Sequence, residues 1–283
     1  RVTRRKTAMI RQLATLLAVA VLTVACATSP TGRRQLMLVS EQQAISSSRQ
    51  AYLQEMGKYK KEGKLVSDPR VLNRVKVITE RLVAQAVAMR PESAKWEWSV
   101  EVIDDPKNVN AWCMAGGRMA VYTGLLMQVD PTDDELAQVM GHEIGHALAN
   151  HTAERMSVAM ASQAGILAAG VMSDRPATSM AAAAAAATLA VQLPNSRAAE
   201  TEADQIGIKL AAKAGYDPRA AITLWQKMGK VGGGKGPPAW LSTHPSDQQR
   251  QQRLGELARK MMKFYQQPGA RPTYPVRIGA AAV

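Results

Sequence analysis

The stretch from Thr132 to Asn150 constrains the chain most. Thr132 and Glu135 form a T-x-x-E capping box, and Asp133 and Asp134 favour the positive end of the helix dipole. Together they predict a helix running through about Asn150. That helix carries His142-Glu143-Ile144-Gly145-His146, an H-E-x-x-H motif. Residues four apart share a helix face, with Cβ atoms about 5–6 Å apart, so both imidazoles can reach one metal ion. Glu143 projects beside them, where it can take a proton from an activated water. Gly145 keeps the helix surface slim close to the site. Any fold of this chain must therefore bury a helix while reserving one polar face for a cation.

A catalytic zinc wants three protein ligands and one open position. Downstream, Glu200-Thr201-Glu202-Ala203-Asp204 lies in a second helical segment. Acidic residues on a helix ordinarily make a solvated face. Beside H-E-x-x-H, Glu200 is assigned as the third ligand and Asp204, on the same face, as the acceptor that orients a ligating histidine. Glu202 lies about 200° round the helix from Glu200 and points elsewhere. The metzincin extension would need glycine at position 149 and histidine at 152. Ala149 and Thr152 stand there instead. On a continuous helix His151 lies about 140° from His146, which makes it a capping or surface residue. His244, in Ser242-Thr243-His244-Pro245, follows a glycine-rich loop. It is either structural or part of the site, where it could steady the oxyanion or fill the open zinc position.

Aromatic residues make up only 4% of the chain while alanine and methionine abound, which predicts a helix-rich core. Helices are expected over about 40–60 and from Asp68-Pro69 to Met89, where Pro91 closes the segment. Trp96 to Ile103 alternates as a strand does. Asn110–Met114 and Arg118–Thr123 read as extended pieces around Gly116-Gly117. The alanine- and methionine-rich residues 157–191 predict a packed helical hairpin, since each arm falls short of the ~20 strongly apolar residues of a membrane span. Further helices are expected from Pro194–Ser196 to near Gly215, from Asp217-Pro218, and at the C-terminus behind a Ser246 or Asp247 cap. The fold class is thus α+β and predominantly helical, with a small sheet and a single domain over residues 40–283. Arg118, Met119, Ala120 and Val121 would bind an extended substrate if their strand formed an edge.

The N-terminus reads as an address. Residues 1–11 are basic, and Leu13–Ala25 is an uncharged, mostly apolar run of thirteen residues, the length of a signal-peptide core. It ends in Thr23-Val24-Ala25-Cys26, which resembles a bacterial lipobox, although Thr23 stands where leucine is usual. Residues 1–26 are therefore expected to be a signal segment with Cys26 lipidated, and 27–39 a tether. Ala27 after the cysteine favours the outer membrane by the same resemblance. Five basic residues lie in the segment to be removed, so the net charge of +13 falls to +8. No nucleic-acid motif accompanies that charge, and a basic surface near anionic lipid is the more economical reading. With Cys26 lipidated, Cys113 has no disulfide partner and reads as a small buried hydrophobe.

An ordered set of motifs resembles a known family. It comprises Thr31-Gly32-Arg33-Arg34-Gln35-Leu36, Asn110-Ala111-Trp112, Gly116-Gly117 with Val121-Tyr122-Thr123-Gly124-Leu125-Leu126, His142–His146, Glu200-x-Glu202-Ala203-Asp204 and Thr243-His244-Pro245. The set resembles the HtpX and CAAX-prenyl-protease type of zinc metallopeptidases, gluzincins, in the branch of bacterial periplasmic lipoproteins. The resemblance implies a zincin-like domain, one catalytic Zn2+ ion, and endoproteolysis of unfolded or misassembled envelope proteins. It also implies that His244 is a regulatory fourth ligand and that Arg250 lies near the scissile carbonyl. The rival expectation is a chaperone-like or scaffolding envelope lipoprotein whose zinc is structural or whose site is shut by His244.

Overall fold

A computed structural model describes residues 26–172, 177, 178, 181, 196–231, 238–244 and 248–279. The expected signal core, most of the second arm of the alanine-rich hairpin, the glycine-rich loop at 232–237 and the Ser246/Asp247 cap lie outside the described residues. The chain divides into two compact units, the first drawn from residues up to Ser40 together with those from Ala153 to Val191. The second takes Glu41–Thr152 and the chain from Gln192 onward.

In the first unit, β1 (Cys26–Thr28) pairs antiparallel with β2 (Arg34–Leu36), where a plain tether was expected. The reason is turn chemistry: Ser29 Oγ accepts from Arg33 N at 3.1 Å, and Gly32 takes φ +90°. The Arg33 guanidinium forks onto both oxygens of Glu154 at 2.7 and 2.5 Å, and Gln35 Nε2 donates to the same carboxylate at 3.0 Å.

The second unit opens with α1 (Glu41–Lys61) and α2 (Pro69–Met89). On α1 the buried residues Ala44, Ser48, Tyr52 and Met56 recur every fourth position, and Tyr52 and Met56 pack with the sheet residues Ile103, Ala120 and Tyr122. Asp68 caps α2 by accepting from Arg70 N at 2.9 Å, with Pro69 at the first helical position. The sheet follows, with β3 (Ser99–Ile103), β4 (Ala111–Cys113), β5 (Arg118–Tyr122) and, late in the chain, β6 (Arg277–Ile278). Its order is β4-β5-β3-β6. β3 is parallel to β5 and to β6, and β4 is antiparallel to β5 through the Gly116-Gly117 turn. Both glycines have positive φ, +88° and +84°, which side chains with a Cβ rarely adopt.

Next comes α3 (Asp133–Leu148), buried from Glu135 to its end and started by the predicted capping box. Glu135 Oε2 accepts from Thr132 N at 2.8 Å, and Thr132 Oγ1 accepts from Glu135 N at 3.2 Å. Glu135 also receives Lys227 Nζ and Thr223 Oγ1, both at 2.7 Å, so the cap fastens α6 (Ala220–Met228) as well. The helix stops at Leu148 and does not continue through Asn150. Asn150 takes a left-handed φ of +56°, and Arg90 Nη1 donates to Leu148 O and Asn150 Oδ1 at 2.8 and 3.2 Å. A new helix, α4 (His151–Met172), starts immediately afterwards.

α5 (Arg197–Lys213) meets α3 through Gly141, Gly145 and Gly207. A Cβ on Gly207 would lie 2.6 Å from His142 N, and one on Gly145 would lie 2.9 Å from Ala203 O. The chain closes with α7 (Ala239–Thr243) and α8 (Gln248–Tyr265). Among the described residues no helix is long and apolar enough to cross a membrane.

Candidate metal centre

His142 and His146 project from one face of α3, Glu200 from the first turn of α5, and His244 from the end of α7. All four are buried, at 4–6% exposure, and their ligand atoms lie within 4.8 Å of one another. Four ligands held about 2.0–2.1 Å from one centre at tetrahedral angles stand roughly 3.3–3.4 Å apart. His142 Nε2 is 3.4 Å from Glu200 Oε2, and His146 Nε2 is 3.3 Å from Glu200 Oε1. The two Nε2 atoms are 3.0 Å apart, and His244 Nδ1 is 3.2 Å from His142 Nε2 and 3.0 Å from Glu200 Oε1. These separations lie near that value, and imidazole with carboxylate is a donor set that zinc takes.

Electrostatics agree with that donor set. Burial opposes ionisation of Glu200, but hydrogen bonds from His142, His146 and His244 outweigh it and hold the carboxyl far below the ordinary range. Burial pushes His146 well below the usual imidazole range. Burial lowers His142 too, yet Asp204 and Glu200 beside it raise it to about 9. His142 Nδ1 lies 3.0 Å from Asp204 Oδ1, though without the alignment of a good hydrogen bond. Asp204 stays ionised against its burial because His142 and Arg250 face it.

Arg250, on α8, is committed to the carboxylates. Its Nε and Nη2 donate to Asp204 Oδ2 and Oδ1, both at 2.8 Å, and its Nη1 lies 2.9 Å from Glu200 Oε2. Its guanidinium stacks 4.2 Å from the centre of the Trp225 ring. Expected near the scissile carbonyl, it is held beside the donor cluster by this clamp on the Glu200 and Asp204 carboxylates. Glu143 is buried next to the donors, and its Oε1 accepts from Trp240 Nε1 at 2.6 Å and stands 3.4 Å from His244 Nε2. Trp240 was not singled out in the sequence. It is 1% exposed and stacked between Trp225 and His244, with ring centres 5.0 and 4.9 Å away.

Two expectations need correction. β5 is paired on both sides, by β3 and β4, so Arg118, Met119, Ala120 and Val121 are all buried and form no edge. Arg118 is ion-paired with Glu97. The edge strand nearest the H-E-x-x-H helix is β4. His151 is neither capping a surface nor exposed: the break at Asn150 turns it back, leaving its Nδ1 2.7 Å from His146 Nδ1. Glu202 does point away from the donor cluster, but into the core, where its Oε2 is 3.1 Å from His151 Nε2. The available signal was Asn150 itself, a residue that tolerates the left-handed conformation. Cys113 is buried as expected, and burial, with Glu143 nearby, pushes its thiol well up.

A profile described as peptidase family M48 matches residues 69–258. The chain belongs to peptidase family M48. Its domain is a zincin-like metallopeptidase fold, and zinc is the metal that this donor set fits. It is 42% identical over 175 residues to the mitochondrial metalloendopeptidase OMA1 of Arabidopsis thaliana, covering 61% of this chain and 34% of that one. It is 33% identical over 245 residues to the mitochondrial metalloendopeptidase OMA1 of Homo sapiens, covering 83% and 46%. It is 31% identical over 155 residues to the metalloprotease LoiP of Escherichia coli, covering 52% and 58%. The chain thus spans from a third to just over half the length of these M48 relatives. The expected resemblance holds at the level of the family.

Proposed function

We propose that this M48 chain is a zinc-dependent endopeptidase that rests in a closed state. The observation that carries the reading is the set of donor separations among His142, His146, Glu200 and His244, with Glu143 alongside. When bound, zinc supplies a Lewis acid that polarises a carbonyl and makes water acidic. Glu143 takes a proton from the attacking water as the new carbon–oxygen bond forms. It passes that proton to the leaving amine nitrogen as the carbon–nitrogen bond breaks. His142, His146 and Glu200 hold the metal; Asp204 and Arg250 keep Glu200 and His142 in place. His244 fills the fourth vertex and Trp240 holds Glu143, so α7 must withdraw before substrate enters. Trp240 N also donates to Val109 O, just ahead of β4, at 3.1 Å. Withdrawal would break that bond beside β4, whose edge could pair with an extended peptide as an added strand.

Protein substrates follow from this reading. We extend it to unfolded or misassembled envelope proteins in the bacterial periplasm, with the chain anchored through a lipidated Cys26. The basic, apolar segment ahead of that residue supports the extension. The occupied fourth vertex favours a second reading, a scaffolding lipoprotein whose zinc site stays shut. Casein cleavage with zinc content measured in parallel separates the two. A peptidase requires that Glu143→Gln keep its zinc and lose cleavage by at least ~100-fold, the usual scale for an acid–base group. His244→Ala should retain zinc and cleave faster than wild type. Absence of zinc-dependent cleavage in both wild type and His244→Ala would leave only the scaffold.

A further inference from the structure

The two ligand histidines of α3 are braced differently. His142 has the Asp204 carboxylate directly behind it. Behind His146, in place of a carboxylate among the described residues, stands His151, whose Nδ1 is 2.7 Å from His146 Nδ1. Two imidazole nitrogens at that distance share one proton, so one donates and the other accepts. His146 Nε2 faces the metal donors and must offer a lone pair there, which puts the proton on His146 Nδ1. His151 Nδ1 must then be the acceptor, and the proton of His151 sits on Nε2. That Nε2–H points at Glu202 Oε2, 3.1 Å away. All three residues are buried, His151 and Glu202 at 2% exposure each. A buried carboxylate facing a buried imidazole N–H fixes one tautomer in each ring, in sequence.

The geometry points to a positioning relay, Glu202–His151–His146, that orients His146 and strengthens it as a metal donor through two hydrogen bonds. This rests on the peptidase reading above and names how one of its metal ligands is held. The chain forms because α3 breaks at Asn150, which returns His151 to the face that a continuous helix would have denied it. His151 and Glu202 are positioning residues; neither belongs to the four-donor cluster.

The test is zinc affinity of the full chain, measured by competition with a chelator, together with the visible absorption of the Co2+-substituted protein. Outer-shell partners of metal ligands are worth 10–100-fold in affinity. His151→Phe should therefore bind zinc 10- to 100-fold more weakly and shift the cobalt bands, which a packing defect away from the ligands would not do. Glu202→Gln, nearly isosteric, should weaken binding several-fold. Because Glu202 acts through His151, the double variant should bind no more weakly than His151→Phe alone. Wild-type affinity and cobalt bands in folded His151→Phe would overturn the relay. If that variant does not fold, Glu202→Gln decides, and affinity within twofold of wild type overturns it. Additive losses in the double variant also count against a relay. A wild-type chain that takes up no stoichiometric zinc would end both this inference and the reading beneath it, whereas wild-type uptake with unaffected variants ends this inference alone.

Discussion

Glu101 on β3 is fully buried, and neither of its carboxylate oxygens has a hydrogen-bond partner among the described residues. Burial pushes its carboxyl from 4.5 up to about 7, against a small opposing pull from Lys60. In the unfolded chain the same group ionises near its ordinary value. Between about pH 4.5 and 7 the folded chain therefore holds a proton that the unfolded chain has released, and stability falls as pH rises through that window. Each unit of pKa difference is worth about 1.4 kcal/mol. Glu101→Gln should accordingly match wild type at about pH 4 and exceed it at about pH 8 by about 1–3 kcal/mol. Urea unfolding at both pH values checks this, and parallel curves for the two proteins would refute it. Nothing in the sequence marks Glu101 as buried, because a glutamate inside an alternating strand reads as an outward residue. The clustering of His142, His146 and Glu200 was legible for the opposite reason: spacing on a helix determines which side chains share a face. His151 was misread by the same rule, since the rule assumes that the helix continues.

At the scale of elements, the site exists because α3 and α5 touch through glycine. Gly207 faces the backbone of Gly141 and His142, which cannot swing aside as a flexible side chain would. Gly207→Ala must therefore part the two helices and draw Glu200 and Asp204 away from the histidines. Overpacking of this kind costs about 1–3 kcal/mol, and zinc affinity should drop with it. Gly57→Ala on α1 is the control: its added Cβ meets nothing within 4 Å, so it should gain about 0.5–1 kcal/mol from helix propensity. Equal stabilities for the two variants would refute the close-contact account. Helix starts were readable from Asp68, Thr132 and Ser196, whose side chains cap them as local chemistry requires. Strand partners were not. Whether β5 formed an edge stayed open because alternation says nothing about neighbours, and β6 is only two residues, recruited from a distant part of the chain by pairing with Ser99 and Val100.

At the scale of the whole molecule, the metal would tie together three segments spread from His142 to His244. Without it they are still joined by protein contacts: the glycine seam of α3 and α5, the Arg250 fork on Asp204, and the Trp240 bond to Glu143. Zinc should therefore act as a stabilising ligand of an already folded chain and not as a condition of folding. A ligand that binds only the native state adds about 2.7 kcal/mol when free at a hundred times its Kd. A strong chelator should lower the Tm of wild type by several degrees while far-ultraviolet circular dichroism at 25 °C keeps its helical signal. Glu200→Ala, lacking one ligand carboxylate, should show little further drop on chelation. Glu143→Gln, which leaves the four donors intact, should respond to chelation as wild type does. A wild-type Tm that ignores both zinc and chelator would mean that these buried imidazoles and their carboxylate are held together by one another alone, and the reading of the cluster as a metal centre would fall with it.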